Sequence, residues 1–445
     1  MVVQGSTLYF AANDGTHGFE MWKSDGTEAG TVLVKDLAPG IDPGADLLEI
    51  ASINGILFFR GTTTNDYDYE LYKTDGTDAG TQIVKDINAA TGSFPERFVE
   101  YNGNAYFLAR DGVNGGEIWK SDGTTAGTSL LKDIFPGTSG SNFMFPTVFN
   151  GELYFSASNL ANGTELWKTD GTTAGTVLVK DIIPGAASGT PYYLSVFNNK
   201  LYFNADNGVN GFQLWSSDGT AIGTSLFKTI NSTNNSSPKE ITTYKGKGYF
   251  SAKGETTGTE LWVTDGTPAG TTLFMDINNA ANGDANPDNL TVAGGRLYFT
   301  ATDGTNGNEL WSTDGTIAGT MQYNICPGTC QSFTGFLTAT LGKLFFSSFD
   351  DVNGRELRVF DNLPIGIATI TNTLQFSIYP NPTYSTLQIG GVENGNVAIC
   401  NLQGGLLIEV DNSTTIDIAH LAAGMYVIKV TNTNGETGIR KFVKE

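Results

Sequence analysis

The chain has 445 residues and a formal net charge of −21, with 25 basic side chains against 46 acidic ones. That balance argues against nucleic acid and anionic membrane surfaces as partners, since both repel an acidic protein. No apolar run reaches the length of a transmembrane helix, and with only 16% of residues charged the polar surface falls largely to Thr, Asn, Ser and Gly.

In chain order, Met1 to Gly5 passes straight into a first strand, Leu8-Tyr9-Phe10. It has neither the charged start nor the apolar centre of a signal peptide, so the sequence is expected to be a fragment or a trimmed gene product. The same apolar landmark returns at Leu57, Ala105, Leu153, Leu201, Gly248, Leu297 and Leu344, giving eight units. An Asp-Gly-Thr turn follows it at Asp25, Asp75, Asp122, Asp170, Asp218, Asp265 and Asp314, with successive gaps of 50, 47, 48, 48, 47 and 49 residues. The eighth unit keeps Glu356-Leu357 but has lost that turn.

One unit shows what each builds. Pro146 to Phe149 is a short β-prone run, Asn150-Gly151 is a hairpin turn, and Leu153 to Ala157 is the returning strand. Glu165 to Thr169 reads as a third strand and Thr176 to Ile182 as a fourth. Four strands in about 48 residues is the period of a propeller blade. Leu-Tyr-Phe and Leu-Trp are apolar at adjacent positions, as a sheet buried on both faces requires. The expected fold is all-β: a β-propeller over residues 1–361 with eight four-stranded blades, or seven if the end units merge. No segment carries a sustained helical period.

A group needed in every unit reads as structural. The turn aspartates can accept backbone N–H bonds two residues on. The recurring Glu (Glu20, Glu70, Glu117, Glu165, Glu260, Glu309 and Glu356, with Gln213 the exception) and the Trp at 22, 119, 167, 215, 262 and 311 are assigned to packing. This repeat, Glu-Leu-Trp then Ser/Thr-Asp-Gly-Thr then Gly-Thr, resembles the ELW-type repeats of bacterial surface propellers over residues 6 to 361. The resemblance says nearly nothing about activity.

Cys326 and Cys330 bracket Pro327-Gly328-Thr329, a spacing open to a local disulfide in an oxidising compartment, while Cys400 lies in an apolar run. Residues 362–375 form a low-charge linker, part of which can pair as an outer strand of the last unit. From Phe376 onward six acids meet four bases, a net −2, so −19 lies before it. Short strands and Gly-containing turns continue to residue 445, the pattern of a small Ig-like β-sandwich.

That tail carries Tyr379-Pro380-Asn381-Pro382, then Asn401-Leu402-Gln403-Gly404, then Gly424-Met425-Tyr426, and ends Lys441-Phe442-Val443-Lys444. It resembles the C-terminal sorting domain of the type IX secretion system over 376–445, with Asn401 where that family usually has Asp. The resemblance implies cargo made with a signal peptide, translocated across the outer membrane and secreted or attached to the surface of a Gram-negative cell. It makes Tyr379, Pro380, Asn381, Pro382, Gly404, Gly424, Tyr426 and Lys444 the sorting signal, and the secretion machinery the partner.

For a ligand, chain direction puts the Asn-Gly and Asp-Gly-Thr turns on one face of the disc and the irregular loops on the other. Binding residues concentrate on irregular loops held by a rigid scaffold. The least regular loop contains Asp66, Tyr67, Asp68 and Tyr69; Phe94, Phe143, Tyr192 and Tyr193 add aromatic surface on crossing loops. This mix suits a glycan or a protein partner, or Ca²⁺. A second Ca²⁺ reading places structural ions in loops carrying Asp14, Asp111, Asp206, Asp303 and Asp350; no cofactor is required. The expected role is a monomeric surface binding or scaffold protein. The alternative is a glycan-active hydrolase or lyase, which needs two carboxylates near the channel that other units lack. Only two histidines exist, and His17 lies where equivalent loops carry Asn or Gly.

Overall fold

The computed structural model describes residues 1–40, 44–63, 68–323, 325, 335–340, 343–350, 354–360, 374, 376–391, 395–400, 406–433 and 437–445. The described residues contain strands and turns and no helix. The chain divides into two compact units, Met1–Leu363 and Pro364–Glu445.

The first unit holds eight antiparallel sheets in chain order, seven of four strands and a last one of three among the described residues. Each is an up-and-down meander. The fourth sheet, for example, runs Met144–Phe149, Glu152–Asn159, Gly163–Thr169 and Val177–Lys180.

Alternation along the second strand explains the apolar runs. Leu153, Phe155 and Ala157, with Trp167 from the third strand, pack against Tyr106, Ile118 and Leu131 of the preceding sheet. Tyr154, Leu166 and Val179 face the other way, onto Leu201, Phe203, Ala205 and Trp215 of the next sheet. The same division recurs around the unit and returns to its start, where Phe345 and Leu357 of the eighth sheet pack on Leu8, Phe10 and Trp22 of the first. Tyr154, Phe155 and Phe203 are at most 1% exposed. Burying such a side chain contributes about 1.5–3 kcal/mol, and the repeat multiplies it sheet by sheet.

The first strands of consecutive sheets approach one another closely, whereas the fourth strands show no comparable approach. The first strand is therefore the inner edge of each sheet. Side chains stitch neighbouring inner edges: Thr147 Oγ1 donates to Leu194 O at 3.0 Å, and Ile241 N donates to Ser195 Oγ at 3.1 Å.

The second unit has a three-stranded sheet (Ser377–Tyr379, Thr386–Gly390, Thr415–Asp417) and a four-stranded one (Gly395–Cys400, Leu406–Asp411, Gly424–Asn432, Thr437–Lys444). Leu387, Ile389 and Ile416 of the smaller sheet share one core with Val397, Ile399, Ile428, Val430 and Phe442 of the larger.

Candidate functional site

At the ends bearing the Asp-Gly-Thr turns, one network repeats. Asp170 Oδ1 accepts the Thr172 N–H at 2.8 Å and its hydroxyl at 2.7 Å. Thr172 Oγ1 in turn accepts the Gly175 N–H at 2.9 Å, and Thr176 Oγ1 donates to Thr172 O at 2.7 Å. Gly171 sits at φ +91°, and a Cβ on Gly175 would collide with the Asp170 carboxylate. Both glycines are thus required by the turn. Hydrogen bonds from Thr172 hold the Asp170 carboxyl below its usual pKa. Lysines then tie sheet to sheet: Lys23 Nζ donates to Gly76 O, Lys73 Nζ to Gly123 O and Lys120 Nζ to Gly171 O, at 2.8, 2.8 and 3.2 Å. The Asp, Gly and Thr of the turn recur at the repeat spacing, so they read as scaffold, whereas the lysine tie holds the first three sheets and gives way to Lys168 on Glu152 in the fourth.

At the opposite ends the recurring Glu anchors the segment that crosses to the next sheet. Glu165 is fully buried and accepts the Ile182 N–H at 2.8 Å and the Gly189 N–H at 2.6 Å. Glu117 holds the N–H groups of Ile134 and Phe135 in the same way. Burial pushes the carboxyls of Glu20, Glu165 and Glu260 up to about 7, against the pull of those hydrogen bonds. Gln213 does the same work without a charge, its Oε1 accepting the Ile230 N–H at 2.9 Å.

Beyond these anchors the repeat breaks down. The first strands of most sheets carry a bulge opposite the second strand. The bulge residue has a left-handed backbone: Arg97 (φ 59°), Phe145 (φ 52°), Tyr193 (φ 57°), Asn289 (φ 54°) and Phe336 (φ 56°). Asn tolerates this conformation, whereas for bulkier residues it costs about 1–2 kcal/mol. Four of the five positions therefore hold a side chain that the backbone disfavours. Strain of this kind concentrates at functional sites. In the sixth sheet the equivalent position is Glu240. It keeps solvent access while protein surrounds it, and desolvation, then the charge of Asp288, raise its pKa.

Two clusters form here. Phe145 meets Tyr192 and Tyr193, each with ring centroids 5.0 Å away, and Tyr192 stacks on Phe212 at 6.4 Å. Between the second and third sheets, Arg60, Arg97 and Arg110 lie 3.9, 3.7 and 4.0 Å from the Glu96 carboxylate.

The sequence-selected residues separate accordingly. Tyr192 and Tyr193 come together. Phe94 packs on Tyr69 at 6.2 Å, and Tyr69 is buried with the Arg60 guanidinium 5.7 Å over its ring. Phe143 is fully buried 5.0 Å from Phe155 and belongs to the core. Asp68 is half-buried beside Tyr69. Asp66, Tyr67, Cys326, Cys330, Gly404 and most of 362–375 lie outside the described residues. Sequence reasoning missed Arg97, Phe145, Asn289, Phe336 and Phe212. The signal was available for the first four: the residue five places before the hairpin turn is the variable column of an otherwise constant repeat.

The Asp loops are occupied internally. Asp111 Oδ1 accepts the N–H groups of Val113 and Asn114, and its Oδ2 accepts Asn114 Nδ2 at 2.7 Å. Asp303 repeats this with Thr305 and Asn306. In the fifth sheet the equivalent acceptor is Asn207 and not Asp206. His17 takes the Asn position, with Nδ1 2.7 Å from Asp14 Oδ2. Among the described residues no three His, Cys, Asp or Glu side chains converge as a metal site.

In the second unit, the loop after Tyr379 is pinned to the last strand. Asn381 Oδ1 accepts the Val443 N–H at 2.9 Å, and Asn381 Nδ2 donates to Lys441 O at 3.3 Å. Tyr379-Pro380 and Asn381-Pro382 are cis. Tyr379 stays half exposed, Lys444 is buried, and Tyr426 donates its hydroxyl to Ala422 O at 2.8 Å. The motif therefore gathers around the last strand of the larger sheet.

With that geometry described, comparison with known proteins assigns the tail. Residues 377–445 match the family described as a secretion system C-terminal sorting domain. The protein is thus secreted or attached to the outer surface of a Gram-negative bacterium, and its tail engages the secretion machinery. No helix among the described residues is long and apolar enough to cross a membrane.

No curated protein matches the chain. Similar solved structures include a puromycin hydrolase (14% identity, 78% of this chain and 57% of that one, TM-score 0.47) and a prolyl endopeptidase (12%, 88% and 55%, 0.49). A puromycin-hydrolysing peptidase of Mycobacterium tuberculosis is similar at 12%, 78% and 56%, with a TM-score of 0.47. The chain spans a little over half the length of these proteins.

Proposed function

We propose that the first unit is an eight-bladed propeller of ELW-type repeats, spanning residues 1–361, that acts as a surface binding or scaffold domain. Residues 362–375 then link it to an Ig-like sorting domain over 376–445. The supporting observation is the contrast within one repeat. Turn, anchor and core positions are nearly constant, while the inner-edge column reads Arg97, Phe145, Tyr193, Glu240, Asn289 and Phe336, all but Glu240 at positive φ. A scaffold has no use for that diversity, whereas a ligand with distinct faces does. The partner on this reading is a glycan or a surface protein.

The full chain tests this by binding to a panel of soluble neutral and anionic polysaccharides and purified surface proteins. Replacing Arg97 by Ala and Phe336 by Asn together weakens binding at least tenfold, while Thr124→Val on the opposite face leaves it unchanged. Equal effects from both faces would refute the reading.

One feature favours a glycan-active enzyme as the second reading. Desolvation and the charge of Asp288 raise the Glu240 pKa, which suits a general acid, while Asp288 pairs with Lys239 at 2.7 Å. Release of new reducing ends by the wild type, abolished in Glu240→Gln with binding retained, decides for the enzyme.

A further inference from the structure

The irregular face is not uniform in charge. In a chain with a net charge of −21, residues 134–149, 159–164, 182–197, 207–212 and 230–238 contain no Asp, Glu, Lys or Arg. These are the crossing segments and loops of the fourth and fifth sheets on one face, together with the segment leading into the sixth. The corresponding stretches elsewhere carry Glu96, Arg97 and Glu100, or Asp284 and Asp288, although Asp133 and Asp181 stand directly before two of the uncharged ones. The uncharged sector is also where Phe145, Tyr192, Tyr193 and Phe212 meet. Leu160 and Val209 stand on its loop tips, 70% and 80% exposed.

Beneath the aromatic group lie buried polar atoms that the protein itself leaves unpaired. Asn204 is directly across from Tyr192 and donates Nδ2 to Pro238 O at 2.9 Å, but its Oδ1 has no hydrogen-bond partner among the described residues. Ser156, across from Met144 and next to the Phe145 bulge, is fully buried with its hydroxyl likewise unpartnered. Ser251, the equivalent residue of the sixth sheet, is unpartnered in the same way, and buried groups of this kind are ordinarily satisfied by water.

We propose that this sector is a binding shelf for a neutral polysaccharide. The proposal rests on the binding reading above and names its ligand class. A pyranose ring offers an apolar C–H face to stack on half-buried aromatics, and a rim of hydroxyls for Asn, Ser and Thr. An anionic polymer would find Arg97 at the edge of the sector, already donating Nη1 to Asn142 Oδ1 and Phe143 O, and would be repelled by the acidic surface around it. The left-handed bulges turn Phe145 and Tyr193 toward each other at a cost that packing alone does not demand, since Asn serves the same bulge in the seventh sheet.

The bulge supplies a variant that separates binding from folding. Tyr193→Asn puts a residue suited to positive φ where Tyr is strained, so its Tm should equal or exceed that of the wild type. The full chain is assayed by calorimetry and affinity electrophoresis against laminarin, mannan, starch and xyloglucan, with alginate as the anionic arm and a neutral peptide library alongside. The expected result is binding to at least one neutral polymer, unchanged between 50 and 500 mM NaCl, at roughly the level where salt screening would expose an ionic contribution. Tyr193→Asn should weaken it at least tenfold without lowering Tm. Binding to alginate or to peptides in place of neutral polymers overturns the shelf and leaves the general binding reading standing. The same holds if neutral binding survives Tyr193→Asn but is lost with Arg97→Ala. Retention of none of the polymers overturns the proposal.

Discussion

The two ends of the sheets use carboxylates in opposite ways. At the regular end, turn aspartates such as Asp122 and Asp170 are exposed and hydrogen-bonded to the next threonine, which lowers their pKa. At the irregular end, anchor glutamates such as Glu165 and Glu260 are buried, and desolvation raises theirs to about 7. The first set favours the folded state only while ionised and loses its contribution as pH falls. The second favours it while protonated and loses its contribution as pH rises from the unfolded value toward 7. One sequence repeat thus makes a rim of exposed, ionised turn carboxylates and an opposite rim anchored by buried carboxyls that hold their protons. The second rim is the one that carries the variable loops.

The largest test of this contrast is at Glu165. Glu165→Ala leaves the N–H groups of Ile182 and Gly189 buried and unpaired, at about 1–3 kcal/mol each, so unfolding in urea should show a loss of about 2–6 kcal/mol. Glu165→Gln imitates Gln213 and should cost far less. Its pH profile is the sharper reading. Wild-type stability should decline between about pH 4.5 and 7 as the unfolded chain ionises first, and Glu165→Gln should flatten that decline. An unchanged slope would mean that the anchor carries its charge at no cost, and the contrast between the two rims would fail.

On the regular rim, Asp122→Ala removes two hydrogen bonds to Thr124 from a solvated turn. The expected loss is about 1 kcal/mol in the same urea experiment, because water replaces most of what is removed. A loss as large as that at Glu165 would show that exposure does not distinguish the rims.

Legibility in the sequence follows the same division. Constant positions could be read because their physics is local: Asp170 needs only the next threonine, and Leu153 only the period of its neighbours. Eight sheets, their strand order and the dual-facing apolar strands were readable for that reason. The role of Glu165 was visible only as a recurrence, since its partners lie 17 and 24 residues on. The aromatic contact of Phe145 with Tyr193 joins two sheets through bulges that no propensity announces, and Phe143, one apolar letter among several, turned inward. The tail was the most legible part, because Tyr379 to Pro382 and Lys441 to Lys444 read as one motif before their contact through Asn381 was known.

The smallest effect should come from His17, where the irregular rim has taken in a titratable group. The equivalent residues Asn114 and Asn306 donate Nδ2 to Asp111 and Asp303 at 2.7 Å, and His17 Nδ1 stands at the same distance from Asp14. An N–H donor at that point is therefore what the loop requires, and imidazole supplies it with an optional charge. The hydrogen bond to Asp14 raises the His17 pKa, so its contribution is present in full below the unfolded value and fades as pH rises through the folded one. His17→Asn should keep the loop and remove the titration. The Tm difference between wild type and variant should be larger at pH 5.5 than at pH 8.5, with the two proteins alike at the higher value. A difference that stays constant across that range would mean that the loop does not use the imidazolium charge, and that His17 serves only as a neutral donor like the asparagines it replaces.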